Sequence, residues 1–337
     1  MRSRCSTFVI PLAALLGGCR TDAKQAPAAV KQASARPPGG VAMPALGAGE
    51  ARLAVDGGTI WYKATGTTAR TPVVLLHGGP GFSSYYLKPL EALGDERQVI
   101  RYDQLGGGKS SGLTDTTKIT VAHFVQELDS LRSHLGIAKM HIVGHSWGTI
   151  LGLEYYRAHP DRVASLTLAS AALDIPQWER HARALLATLP DSMQRAVKTR
   201  ETEKKFDAPD YQAALKAFYG KYVWLRPVKP DLDSMMKQVN TTIYGYMQGP
   251  SEFTITGTLR QYDATPFLSS VKVPTLFTVG AVDEADPVTI KRHAAMVHGG
   301  TLVVIPNAAH ITTWDNPEPM IAAIRAHLRA ADSASSH

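Results

Sequence analysis

The amino-acid sequence predicts an α/β fold, with a mostly parallel central sheet, helices on both faces, and a helical cap inserted before the last core strands. Three observations carry this. Short continuous apolar runs recur along the chain, as in Val73-Val74-Leu75-Leu76, and strands buried on both faces require such runs. Segments with helical apolar spacing alternate with them, the pattern of βαβ units. From Asp174 to Thr265, roughly ninety residues, the alternation stops and helical segments follow one another.

The elements follow in order. Arg52 to Val55 and Thr59 to Tyr62 flank Asp56-Gly57-Gly58 and read as a hairpin with a glycine-containing turn. Core strands are expected at 73–76, 99–102, 140–143, 165–168, 275–279 and 301–305. Helices are expected at 120–135, 149–158, 287–297 and 317–329, with cap helices near 176–189, 191–204, 210–219 and 231–240. The cap belongs over the C-terminal ends of the strands, where open α/β sheets bind their ligands. No internal repeat is present.

The N-terminus has a different character. Arg2 and Arg4 begin it, Phe8 to Leu16 form a short apolar stretch, and Leu16-Gly17-Gly18-Cys19 closes it. The stretch is too short to span a bilayer and reads as a secretory signal. Small residues leading into a cysteine resemble the bacterial lipobox, whose cysteine is lipidated. Gly17 departs from its commonest form, and plain export to the periplasm is the alternative. Cys5 would leave with the signal, so Cys19 is the sole cysteine of the mature chain and no intramolecular disulfide is expected. The Ala-, Pro-, Gly- and Gln-rich stretch that follows suits a flexible tether. The expected organisation is a signal at 1–18, a tether at 19–50, core at 51–174, cap at 175–265 and core again at 266–332. The protein is thus expected in the cell envelope, lipid-anchored at Cys19 on the periplasmic side.

A net charge of +7 on 337 residues is dispersed, without a long Lys/Arg block or a reader motif, so nucleic acid is not an expected partner. Gly108-Lys109-Ser110 has the tail of a phosphate-binding loop, but that motif needs glycine where Asp103 stands. There is no Cys/His ligand spacing and no H-E-x-x-H, so neither metal nor other cofactor is expected.

The chemistry lies elsewhere. Gly144-His145-Ser146-Trp147-Gly148 stands between an apolar run and a helical segment, the context that makes G-x-S-x-G a nucleophile elbow and points to the α/β-hydrolase fold. A nucleophilic serine needs a base, a group that orients the base, and donors for the oxyanion. In this fold the chain order is Ser, then Asp or Glu, then His. Asp283 follows the strand expected at 275–279, and His310 follows the last one. Glu284 and Asp286 rival Asp283, with capping of the helix from Pro287 as their structural role. His77 and His145 read as shaping or lining residues. One oxyanion donor is the N–H of Trp147. The other comes from His77-Gly78-Gly79-Pro80-Gly81, with Gly79 favoured and Gly78 second.

Together, His77-Gly78-Gly79-Pro80-Gly81, Asp103-Gln104-Leu105-Gly106 through Ser110, and the elbow resemble the proline iminopeptidase family of α/β-hydrolases. The resemblance runs from about residue 52 to 330. Met247 to Thr254 and Gly280 to Pro287 look like the branch that includes tricorn-interacting aminopeptidases. It implies metal-free release of one N-terminal residue, often proline, from a peptide with a free N-terminus. A buried α-ammonium needs a carboxylate partner. In the family cap glutamates supply it, and Glu252 stands at the matching position. A second such carboxylate is usual there, and Glu179, Glu201 and Glu203 are candidates without a motif. The family often has glycine where Thr149 stands. An esterase, amidase or lactonase without an amine requirement is the alternative activity. A non-catalytic binder is a third reading, which the complete set of site residues opposes. Relatives of the fold that open epoxides or dehalogenate use Asp where this chain has Ser146.

Overall fold

The computed structural model describes residues 48–67, 70–113, 115–227, 236 and 238–334. Cys19, the signal at 1–18 and nearly all of the expected tether lie outside them. So does most of the helix expected at 231–240.

Eight strands form one sheet in the order β1-β2-β4-β3-β5-β6-β7-β8. They are β1 (Gly49–Val55), β2 (Gly58–Thr65), β3 (Val73–Leu76), β4 (Val99–Asp103), β5 (Met140–His145), β6 (Val163–Ala169), β7 (Thr275–Gly280) and β8 (Thr301–Ile305). The hairpin β1–β2 is antiparallel and joins β4 antiparallel, and all later pairings are parallel. β1 starts two residues inside the expected tether. Gly49 and Glu50 are drawn into the sheet by pairing with Ala64 and Lys63, and Glu50 accepts hydrogen bonds from the Trp61 indole and Lys109, both at 3.0 Å.

The central strands are buried along their whole length. Each fully buried Val, Leu or Ile there contributes about 1.5–3 kcal/mol relative to exposure. The helices are α1 (Val121–His134), α2 (Trp147–Ala158), α3 (Ile175–Leu186), α4 (Asp191–Glu203), α5 (Pro209–Tyr222), α6 (Thr241–Met247), α7 (Pro287–Met296), α8 (Thr312–Asp315) and α9 (Pro317–Ala334). Local chemistry starts them. Thr120 caps α1 through His123 N, and Phe124, Leu128 and Leu131 turn its apolar stripe inward. Asp174 caps α3 and Asp286 caps α7, each helix carrying proline in its first turn.

From β3 the chain moves one way along the sheet to β4, then returns past β3 to β5. Right-handed crossovers in opposite directions put their connections on opposite faces. The 3-10 segment Ser84–Asp95 packs with α9 on one face, and α1 packs with α2 on the other. The reversal leaves a crevice at the C-terminal ends of β3 and β5, where such sheets bind ligands. Helices α3 to α6 come from the expected cap.

Candidate active site

Ser146 sits in that crevice, between the end of β5 and the start of α2. Its backbone has φ 55° and ψ −124°, a region that residues with a Cβ rarely occupy. The turn can be this sharp because a Cβ on Gly144 would lie 2.2 Å from Gly148 O, and one on Gly148 would lie 2.2 Å from Leu76 O. Glycine alone allows that approach. The strained residue is held by Ser146 N–H donating to Ala169 O at 3.0 Å and by the Thr149 hydroxyl donating to Ser146 O at 2.6 Å. Thr149 Oγ1 also accepts from Ala172 N at 3.1 Å. The side chain that stands in place of the family's glycine thus ties the elbow to the segment after β6. Because Ser146 is itself the N-cap, α2 starts at Trp147, two residues earlier than apolar periodicity suggested.

Asp283 and His310 reach the same crevice from the loops after β7 and β8. His310 Nδ1 lies 2.9 Å from Asp283 Oδ1, a contact that favours the proton on Nδ1 and leaves the Nε2 lone pair able to accept one. The carboxylate also accepts from Ala285 N at 2.8 Å, Ser170 Oγ at 2.6 Å and Gly280 N at 3.1 Å. Burial would raise the pKa of Asp283, but His310 and these hydrogen bonds hold it below the usual carboxylate range. His310 Nε2 stands 3.8 Å from Glu284 Oε1. No hydrogen bond joins Ser146 Oγ to His310, a link that in apo active sites often tightens only with substrate.

The backbone of His310 is fixed from the cap side. Its N–H donates to Tyr222 O at 3.1 Å, and Ile311 N donates to Val223 O at 2.8 Å. Asp315, fully buried, accepts from Ala309 N at 2.9 Å, Leu225 N at 2.8 Å and Arg226 N at 3.1 Å.

The glycine loop after β3 faces the elbow. Gly78 N–H donates to Tyr86 Oη at 2.6 Å and is therefore engaged. Gly79, at φ 116°, has no protein acceptor for its N–H among the described residues, and neither has Trp147 at the first position of α2. The geometry thus favours Gly79 over Gly78. The Trp147 indole is almost wholly buried, edge-on to Phe124, with Nε1–H donating to Gln104 Oε1 at 2.8 Å. His145 accepts from the Tyr86 hydroxyl at Nδ1 (2.9 Å) and donates from Nε2 to His310 O (2.9 Å). Burial and the neighbouring His310 push its pKa down to about 3, so it stays neutral. His77 Nδ1–H donates to Gly78 O at 2.7 Å and Nε2 accepts from Gln104 N at 3.0 Å.

Ser146 and His310 open into a pocket of about 450 Å³, its solvent mouth included, whose described lining has two carboxyls, Glu252 and Glu284, and no Lys or Arg. Glu252 Oε1 accepts from the Tyr244 hydroxyl at 2.6 Å and Oε2 from Gln248 Nε2 at 3.2 Å. Burial raises its pKa, against the pull of those bonds and of His310. Glu284 is pushed up further by burial, by Glu252 and by Asp283, and its Oε2 has no partner among the described residues. The other candidate glutamates are elsewhere. Glu179 and Glu201 face Arg183, and Glu203 pairs with Arg200 and Lys205. The second carboxyl in the pocket is Glu284, the rival beside Asp283, while Asp286 alone caps α7. A smaller recess beside Ser146 is mostly apolar, lined by Trp147, Ile150, Ala172, Ile175, Trp178 and Leu259 along with Gln248 and Glu252. Among the described residues no group of three or more His, Cys, Asp or Glu is placed to hold a metal ion.

Residues 71–317 match the sequence family described as the alpha/beta hydrolase fold. A proline iminopeptidase of Heyndrickxia coagulans is 36% identical over 278 residues, spanning 82% of this chain and 96% of that protein. The chain belongs to the proline iminopeptidase family of α/β-hydrolases. A proline iminopeptidase of Saccharolobus solfataricus is 33% identical over 78% of this chain and 86% of its own. The crystal structure of the Mycobacterium smegmatis proline iminopeptidase superposes with a TM-score of 0.78 at 31% identity, covering 85% of this chain and 100% of that one. As a member of the family this chain is a serine hydrolase of the aminopeptidase type.

Proposed function

We propose that the enzyme removes an N-terminal residue, by preference proline, from peptides through an acyl-enzyme on Ser146. The observation that carries the substrate class is the pair of carboxyls, half-buried Glu252 and buried Glu284, in the pocket shared with Ser146 and His310 and without Lys or Arg among its described lining. Buried carboxylates call for a cation, and the α-ammonium of a free N-terminus supplies one. The mostly apolar recess suits the proline ring, and the relatives from Heyndrickxia coagulans and Saccharolobus solfataricus carry proline iminopeptidase as their name.

In this reading Ser146 Oγ attacks the carbonyl of the first residue while His310 Nε2 takes its proton. Asp283 holds the imidazolium through Nδ1–H. The N–H groups of Gly79 and Trp147 receive the oxyanion, each such donor being worth about 3–4 kcal/mol in the transition state. His310 then protonates the leaving amine, the shortened peptide departs, and water hydrolyses the ester with His310 again as base. Ser146→Ala should abolish cleavage of prolyl p-nitroanilide without changing the circular dichroism spectrum. Retained turnover would end the mechanism. N-acetylprolyl p-nitroanilide should be a poor substrate, and equal cleavage of the blocked compound would favour the amidase reading.

The N-terminal pattern supports a second part of the proposal: lipidation at Cys19 on the periplasmic side, with residues after it as a tether. Cys19→Ser should lose incorporation of labelled palmitate and move from the membrane fraction to the soluble one. Unchanged labelling would rule the site out.

A further inference from the structure

We propose that Glu284 gates the catalytic base: before substrate binds, its carboxyl competes with Ser146 for His310 Nε2, and the substrate's own ammonium releases it. This rests on the aminopeptidase reading and adds to it how amine recognition reaches the chemistry.

The two carboxyls of the pocket are not equivalent. Glu252 is anchored at both oxygens, by Tyr244 and by Gln248. Glu284 is the more deeply buried of the two, yet its Oε2 has no hydrogen-bond partner among the described residues. Its Oε1 lies 3.8 Å from His310 Nε2, the ring nitrogen that must accept the serine proton. Ser146 Oγ, for its part, has no hydrogen bond to His310. The serine therefore does not hold Nε2, and Glu284 is the carboxyl beside it.

Asp283 at Nδ1 and Glu284 near Nε2 flank the His310 ring, Glu252 shares its pocket, and the other titratable groups around Glu284 are Tyr219, Tyr244, Asp174, His181, Asp286 and His293. Like charges this close in a buried site do not all ionise, and Asp283 is committed to Nδ1–H. One proton therefore stays with the cluster. Held as Glu284–COOH facing Nε2, it occupies the lone pair that should accept the serine proton. An ammonium seated between Glu252 and Glu284 changes this. Both carboxyls are then neutralised as carboxylates, the shared proton leaves to solvent, and Nε2 is free for Ser146. One cation enters as one proton departs, so the charge of the cluster is unchanged.

The consequence is that a compound without an amine meets a base that is mostly occupied, and it reacts slowly even when bound. Hydrolysis of p-nitrophenyl acetate, a neutral ester, with pyrrolidinium chloride as the probe amine and sodium chloride as the ionic-strength control, tests this. If the base is free about a tenth of the time, wild-type hydrolysis should rise roughly tenfold, saturably, as pyrrolidinium is added. Glu284→Gln should start near the raised rate and respond little. No rise in the wild type, inhibition alone, or an equal rise in Glu284→Gln would overturn the gate. The wild-type titration needs no variant to fold. Prolyl p-nitroanilide assayed in parallel separates the two claims. If it is cleaved while pyrrolidinium fails to activate, the gate falls and the aminopeptidase reading stands. If it is not cleaved, both fall.

Discussion

Gln104 touches both halves of the proposed oxyanion site: its Nε2 donates to His77 O at 3.1 Å, and its Oε1 accepts from the Trp147 indole at 2.8 Å. Tyr86 bridges the same halves from another side, accepting from Gly78 N–H and donating to His145 Nδ1, whose Nε2–H in turn holds His310 O. Neither residue contributes an oxyanion donor or a group of the triad, so each acts by holding the donors at a fixed separation. Tyr86→Phe removes a buried hydroxyl and strands two partners, and it should lower kcat about 10–100-fold with KM within about twofold, since the loss is felt in the transition state. A rise in KM at constant kcat would mean that Tyr86 serves binding instead. The sequence made Ser146, Asp283 and His310 legible because each follows a core strand whose apolar run is visible, so order alone places them on one edge. It did not reveal Tyr86, Ser170 or the role of Gln104. Those depend on which strands become neighbours, and the pairing of β3 with both β4 and β5 is a non-local fact. Glu284 was visible as a carboxylate beside Asp283, but adjacency in the chain suggested a rival for the same role rather than a second role in the pocket.

At the level of elements, the cap is fastened to the catalytic loop by backbone groups. The C-terminal end of α5 receives His310 N–H and Ile311 N–H, and Asp315 in α8 gathers N–H groups from both sides of the join. Asp315→Ala would leave three backbone donors without their acceptor, two in the segment after α5 and one just before His310. A destabilisation of about 2–4 kcal/mol is expected, within the range for breaking a buried network. Asp315→Asn keeps a carbonyl acceptor and should lose less. Urea midpoints for the two variants, read beside kcat, check this, and equal stability in wild type and Asp315→Ala would show that the join does not depend on the carboxylate. Most helices and strands fall within a few residues of their expected bounds because caps and apolar spacing are local signals. The exceptions have non-local causes. β1 is lengthened by its partner β2, and α2 is advanced by strain at Ser146. The separate helix α6 has Asn240 as its cap, which accepts from Thr242 N and Ile243 N while its own Nδ2 donates to Gly106 O in the core.

For the whole molecule, the buried titratable groups set how stability follows pH. His141, His145 and His327 are held neutral chiefly by burial, with pKa values near 4, 3 and 4 against an ordinary 6.5. Between those values the unfolded chain binds more protons than the folded one, so stability rises as pH climbs toward 6.5. Glu127 acts in the opposite sense. It lies buried on α1, with Leu105 N–H donating to Oε2 at 3.0 Å, and burial pushes its pKa from 4.5 up to about 8. From pH 4.5 to about 8 the folded state therefore binds the extra proton, and stability falls as pH rises through that window. Glu252 and Glu284, also raised, pull the same way. His77 and His293, also lowered chiefly by burial, make the histidines outnumber the raised carboxyls, and as the histidine contribution fades through pH 6.5 stability should peak near there and decline toward pH 8. Glu127→Gln keeps an acceptor for Leu105 N–H and removes one titration, and it should flatten the decline by up to about 1.4 kcal/mol per pH unit. Urea unfolding of both proteins at pH 5, 6.5 and 8 measures the difference directly. If the two curves run parallel from pH 6.5 to 8, Glu127 already ionises in the folded state as it does in the unfolded chain, and its burial is relieved by contacts other than the Leu105 amide.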